Sequence, residues 1–224
     1  MMCGRYTLRV AVSDLAESFG VEGQPPHFGP SYNVAPSREI PAVVGSNGGR
    51  GVELLTWGLV PHWSREFDPG PINARAETVA EKPSFRRAFS ERRVLIPADG
   101  YYEWRKTSGP KQPHYFTVRG GEPFAFAGIS SLWIGTEGEA FGSCAIITTT
   151  PNELAAEVHH RMPVILEPRD WDAWLDPTSD KQDMLSLLAP YPSTEMETYS
   201  VDTRVNRPTN DDPSCVEPVS GGRA

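Results

Sequence analysis

The sequence predicts a single α+β domain: a curved, mostly antiparallel sheet or open barrel with short peripheral helices. Three observations carry that expectation. Glycine and proline are abundant, 20 and 22 among 224 residues, which favours turns and short strands over long helices. Short β-rich and apolar runs recur from residue 39 to residue 201. The helical patterns between them are too few and too irregular for a doubly wound parallel sheet. The length allows one sizeable core, and no repeat or linker divides it. One domain over 1–219 is expected, with a frayed tail at 220–224.

Taken in order, residues 4–8 alternate as a short strand. A short helix follows, capped by Ser13 or Asp14, with Glu17 three residues after Asp14 and Gly20 as its stop. Residues 22–36 read as a Gly- and Pro-rich loop, long enough to suggest a functional role. Strands at 39–45 and 52–58 flank a Gly-Ser-Asn-Gly-Gly turn. After an irregular stretch at 61–71, Ser84 is placed to cap a helix over 84–90. A buried strand is expected at 93–97, a hairpin at 101–105 and 113–119, and apolar strands at 124–130 and 143–149. Pro151-Asn152-Glu153 opens a short helix. A strand at 164–166, helices from Pro168 to Leu175 and over 180–189, and a strand at 197–201 complete the series.

Composition limits the function classes. With 38% hydrophobic residues and no apolar run near membrane-spanning length, no membrane partner is expected. No basic-then-apolar leader opens the chain, which points to a soluble cytoplasmic protein. The net charge is −8, 21 basic against 29 acidic residues, where a general nucleic-acid coat would be basic. Any contact with DNA must therefore be a small basic patch on an acidic body. The three cysteines, Cys3, Cys144 and Cys215, form no CxxC and no even framework, so neither a zinc site nor a disulfide scaffold is indicated. Cys144 lies in an apolar run and reads as a core thiol; Cys215 is given no role.

The start of the chain, Met1-Met2-Cys3-Gly4-Arg5-Tyr6, carries a distinctive chemical possibility. If translation starts at Met2, or if both methionines leave, Cys3 becomes N-terminal. Its amine, with a pKa of about 7.7–8.0, and its thiol, at about 8.5, would both be partly reactive near neutral pH. The amine condenses with an aldehyde to an imine, and the thiol closes on the imine carbon to form a thiazolidine ring.

Seven stretches follow in a recognisable order: Met-Cys-Gly-Arg-Tyr at 2–6, Tyr-Asn-Val-Ala-Pro at 32–36, Trp-Gly-Leu-Val-Pro at 57–61 and Ile-Asn-Ala-Arg-Ala-Glu-Thr at 72–78. Pro-Ala-Asp-Gly-Tyr-Tyr-Glu-Trp at 97–104, His-His-Arg-Met-Pro-Val-Ile-Leu at 159–166 and Val-Asn-Arg-Pro-Thr-Asn-Asp-Asp-Pro at 205–213 complete them. The chain resembles the SOS response-associated peptidase (SRAP) family from Cys3 to about Pro218. The resemblance implies a compact α+β fold on a curved antiparallel sheet. It implies binding of abasic sites in single-stranded DNA, with a covalent thiazolidine crosslink through the N-terminal cysteine. It also implies association with the nucleoid on damage, and self-removal of methionine as the source of the peptidase name. No cofactor and no metal are expected. Oligomeric state stays open, with a monomer as the default.

The same resemblance assigns catalytic roles to Cys3, Asn73, Glu103 and His159. Cys3 would be the nucleophile. The Asn73 amide would hold the amine and a sugar oxygen. The Glu103 carboxyl would move protons at the sugar and at the departing water. On a strand, however, it faces opposite Tyr102 and Trp104, which leaves a solvent-facing ion pair as the alternative reading. His159 titrates near neutral pH and suits acid or base work. Because adjacent histidines seldom point the same way, His159 and His160 are not expected to share a metal. Arg5, Arg75, Arg86 and Arg161 are candidate phosphate contacts, Arg161 with an internal acid as its alternative partner. Trp63 would stack on a base or wedge the strand, unless it is core; Asn33 would shape the pocket around Cys3. Two rival functions remain: an N-terminal-nucleophile hydrolase, and a non-covalent single-strand binder.

Overall fold

The computed structural model describes residues 4–46 and 49–223. Cys3 and the centre of the turn between the first two long strands lie outside that range. In chain order the elements are β1 (Tyr6–Leu8), α1 (Val12–Ser18), β2 (Ser31–Val34), β3 (Glu39–Ser46), β4 (Gly49–Trp57) and β5 (Asn73–Arg75). Next come α2 (Arg86–Glu91), β6 (Arg93–Ala98), β7 (Gly100–Arg105), β8 (Gln112–Val118), β9 (Phe124–Ile134) and β10 (Ala140–Thr149). The chain continues with α3 (Glu153–Ala156), β11 (Met162–Pro163), β12 (Ile165–Leu166), α4 (Trp171–Leu175), α5 (Lys181–Ser186), β13 (Met196–Val201) and β14 (Pro218–Arg223).

The apolar runs pair where their side chains can be buried on both faces. β3, β4, β10, β9 and β6 close into a five-stranded barrel, antiparallel except for the β10–β4 seam at Ser143↔Thr56 and Cys144↔Trp57. The second sheet, in the order β14-β13-β8-β7-β1-β2, is antiparallel throughout and curls over the barrel. The main core includes Tyr6, Trp57, Leu95, Phe126 and Ile146, all fully buried, with α1 and α4 joined by stacked Phe19 and Trp171 rings. A smaller cluster of Tyr102, Tyr115, Val201, Val205 and Cys215 lies beneath the second sheet. Cys215 thus has a packing role, and burial pushes the Cys144 thiol far above its usual range, leaving it inert.

Two residues of the Pro-Ala-Asp-Gly motif join the sheets. The buried Asp99 carboxylate accepts from Thr7 Oγ1, from the Arg9 backbone N–H and from Arg9 Nε at 2.8 Å, fastening β1 against the start of β7. Gly100 follows because a Cβ there would run into the Tyr115 phenol. At the end of β4, Gly58 takes φ 145°, a conformation that favours glycine.

Several local expectations fail for identifiable reasons. Part of the expected loop at 22–36 is β2, a short edge strand hidden by its Gly- and Pro-rich approach. β5 was too short to announce itself. Ser84 is not a helix cap; Phe85 occupies that position with no side-chain cap, and α1 likewise begins after Ala11 rather than at Ser13 or Asp14. Asn152 does cap α3, accepting from the Ala155 N–H at 2.8 Å. Near the chain end β14 runs from Pro218 to Arg223. No helix among the described residues is long and apolar enough to cross a membrane.

Candidate active site

Alternation along β7 sorts the Tyr-Tyr-Glu-Trp segment. Tyr101 packs on Phe116 in the main core, while Tyr102 turns to the smaller cluster and donates to the Tyr32 carbonyl at 2.7 Å. Glu103 is 3% exposed, so it is not a surface ion-pair residue. Its Oε1 lies 4.0 Å from His159 Nδ1. His159 sits in the turn after α3, its N–H bonded to the Ala155 carbonyl. Nδ1 is 3.2 Å from both the N–H and the carbonyl of Arg161, so the same backbone can hold either tautomer. Burial holds the imidazole below its ordinary value, outweighing the backbone contact that raises it. At neutral pH the ring is therefore uncharged and able to take a proton.

Glu103 and His159 line a cleft of about 620 Å³ whose walls also include Gly4, Arg5, Trp104, Lys106, Lys111, His160 and Asn206. Trp104 donates to Asn206 Oδ1 at 2.7 Å, holding one wall in place. Against expectation, the His159 and His160 rings lie together, with centroids 4.3 Å apart. Among the described residues, no three His, Cys, Asp or Glu side chains group closely enough to hold a metal.

Three of the candidate site residues, Asn33, Arg5 and Arg161, are engaged by partners within the fold. Asn33 is completely buried; its Nδ2 faces the carbonyls of Val205, Arg207 and Asn210, and its Oδ1 accepts from Arg5. Arg5 Nη1 also donates to Val205 O at 2.7 Å, and Arg5 Nη2 to Asn206 O. The pair ties the start of the chain to the segment after β13, leaving Arg5 only an edge on the cleft. Asp211 strengthens the tie by accepting from the Tyr32 and Asn33 N–H groups. Arg161 forks onto Glu77 and donates to the Thr148 carbonyl, the internal partner foreseen as its alternative.

The remaining residues fall in two places. Asn73 opens β5 beside Ile146 of β10, and exposed Arg75 closes that strand two residues later. Trp63 is 58% exposed, which excludes a core role. It shares a separate hollow of about 580 Å³ with Arg86, His62, Arg87 and Lys181. Sequence reasoning missed Lys106 and Lys111, which flank the β7–β8 turn and are indistinguishable in sequence from ordinary loop lysines. It also missed His114, the cross-strand partner of Glu103. His114 is 7% exposed, its Nδ1 has no hydrogen-bond partner among the described residues, and burial lowers its pKa.

Residues 2–208 match the family described as SOS response associated peptidase, SRAP. The chain belongs to this family. Among curated SRAP relatives, the abasic site processing protein YoqW of Bacillus subtilis is 42% identical, the match covering 96% of this chain and 99% of that one. The chicken abasic site processing protein HMCES is 28% identical, over 99% of this chain and 79% of its own. The fold agrees with a crystal structure of a Bacteroides thetaiotaomicron protein, at TM-score 0.88 and 29% identity over 97% of this chain and all of that one. A phage-related protein from Bordetella bronchiseptica matches at TM-score 0.71 and 32% identity, covering 90% and 95%.

Proposed function

We propose that this SRAP chain processes abasic sites in single-stranded DNA by capturing the open sugar on an N-terminal Cys3 and sealing it as a thiazolidine. One observation carries the reading. The buried Glu103 carboxyl faces His159 in a cleft walled by Gly4, the residue bonded to Cys3. The abasic-site processing named for its relatives supports the same substrate.

The chemistry runs in balanced steps. The Cys3 amine adds to the aldehyde carbon, and a proton passes from nitrogen to oxygen, giving a carbinolamine. Glu103 donates a proton to the departing hydroxyl, water leaves, and a protonated imine forms. His159, held neutral by burial, takes the thiol proton, and the thiolate adds to the imine carbon. Ring closure neutralises the nitrogen of the protonated imine, and the proton taken by His159 passes to Glu103, returning both groups to their starting states. One aldehyde and one aminothiol thus give one thiazolidine and one water. Asn73 is assigned to hold the sugar and the amine. Arg75 and Arg86 are assigned to phosphates, and Trp63 to stacking on an unpaired base.

The test is a denaturing gel after incubation with a single-stranded oligonucleotide carrying one abasic site. Wild-type protein beginning at Cys3 is expected to give a slow band that survives denaturation, and Cys3→Ala none. A band of equal intensity from Cys3→Ala would refute capture by this residue. Retention on native gels alone would move the reading to a non-covalent binder.

A further inference from the structure

Exposed large apolar side chains concentrate at one place away from the cleft. Among the described residues Leu132, Ile134 and Phe141, 39%, 62% and 48% exposed, all belong to the β9–β10 hairpin. Here β9 outruns its neighbour. β6 pairs with it only as far as Arg93↔Ile129, whereas β10 accompanies it to Ala140↔Ile134.

The direction of the unpaired backbone follows from the register. The Ser130 N–H donates to the Arg92 carbonyl, on the β6 side. In an antiparallel ladder, residues two apart point their backbone groups the same way. The unbroken β9–β10 register therefore aims the N–H and C=O groups of Leu132 and Ile134 away from β10. No strand among the described residues pairs with them there. A groove of about 440 Å³ runs along this edge, walled on its far side by Arg87, Ala88 and Arg92 in and just after α2, and by Pro61 and His62. Arg87 is paired with Glu91, but among the described residues no ion pair or hydrogen bond engages the exposed Arg92 guanidinium.

We propose that this edge is a docking site for an extended peptide segment of a partner protein, added to the barrel as an antiparallel strand. The backbone groups require an extended chain. Leu132 and Ile134 require apolar side chains at alternate positions. An antiparallel strand would follow the line of β6 and reach Arg92 with its C-terminal end, so a carboxylate there complements the unpaired guanidinium. An open, apolar strand edge is a liability that proteins ordinarily blunt with charge, proline or a covering element, and the described residues supply none at Leu132 and Ile134.

The probe is a fluorescein-labelled Thr-Val-Thr-Val-Asp peptide with a free C-terminus, set against an amidated Thr-Val-Thr-Val-Lys control, with binding read by anisotropy. The acidic peptide is expected to bind at least tenfold more tightly than the control, and Arg92→Ala to remove that difference. Leu132→Pro deletes one outward N–H without touching the β10 ladder, and is expected to weaken binding at least tenfold while abasic-site adduct formation is unchanged. Should that variant fold poorly, hydrogen exchange on the wild-type chain decides: the Leu132 and Ile134 amides are expected to slow with peptide bound. No binding at millimolar peptide, or binding with no added protection at those amides, would overturn the proposal. So would self-association through this edge in sedimentation, which would assign it to a second copy, or displacement of the peptide by undamaged single-stranded DNA.

Discussion

Glu103 illustrates how one residue's surroundings decide its role. Sequence alternation put it opposite two aromatics, which left a solvent-facing ion pair open; the fold instead encloses it beside His159. Glu103→Gln keeps the shape and removes the transferable proton. Adduct formation is expected to slow by a factor of about 10²–10⁴ in single-turnover assays, with affinity for intact single-stranded DNA nearly unchanged. Parallel loss of binding would make Glu103 structural. His159 gives a sign that can be checked. Its pKa is lowered by burial, so its base form persists below the ordinary value of 6.5 and is lost as pH falls through the depressed value. Beside the limb set by the Cys3 amine, adduct formation should show a second acid limb below pH 6.5 that His159→Gln removes in a pH–rate profile. That Arg5, Asn33 and Arg161 have partners inside the fold was hard to foresee at the residue scale. Arginine and asparagine fit phosphates and backbone carbonyls equally well, and only the three-dimensional partners tell the two apart.

At the scale of elements, β7 and the segment after β13 build the site together. The fully buried Asn33 amide and Arg5 hold the carbonyls of 205–210 under the start of the chain. Asn33→Ala would take one donor from each of those carbonyls and one acceptor from Arg5, although Arg5, the Asn210 N–H and the Cys215 thiol still reach Val205, Arg207 and Asn210; it is expected to destabilise the fold by about 2 kcal/mol in urea titration. A change under about 0.5 kcal/mol would mean the tie is slack. The motif at 205–213 was legible as a conspicuous string, but its function as a brace was not, because its partners lie some 170 to 200 residues away in sequence. The long strands were legible because apolar alternation is a local property. β2, β5 and β14 were not, because a short strand is defined by its neighbour rather than by its own residues.

For the whole molecule, the acidic composition is consistent with a local DNA-binding surface. The cations left exposed at the two hollows are few: Arg86 and Lys181 at one, Lys106 and Lys111 at the other, since Arg5 and Arg161 are engaged internally and Arg87 pairs with Glu91. With about four phosphate contacts, log affinity for single-stranded DNA should fall against log salt with a slope of about −3. A slope near −7, implying about ten contacts, would contradict a small patch. Stability should also respond to acid. His114 and His159 have folded pKa values lowered from 6.5, so the unfolded chain binds more protons below that value. Their stabilising contribution is complete above pH 6.5 and lost as pH falls through the folded values. Melting temperature is therefore expected to drop between pH 7 and 5, less steeply in His114→Gln. The fold class was readable from Gly, Pro and strand spacing, while closure of the barrel through one parallel seam was not, because it joins strands far apart in the chain. Covalent capture at Cys3 is tested most directly by intact mass spectrometry of the purified chain, before and after exposure to an abasic-site oligonucleotide. The expected result is a starting mass without either methionine, then a product equal to protein plus DNA minus one water, absent in Cys3→Ala. A chain beginning at Cys3 that gains no such mass would contradict the thiazolidine mechanism.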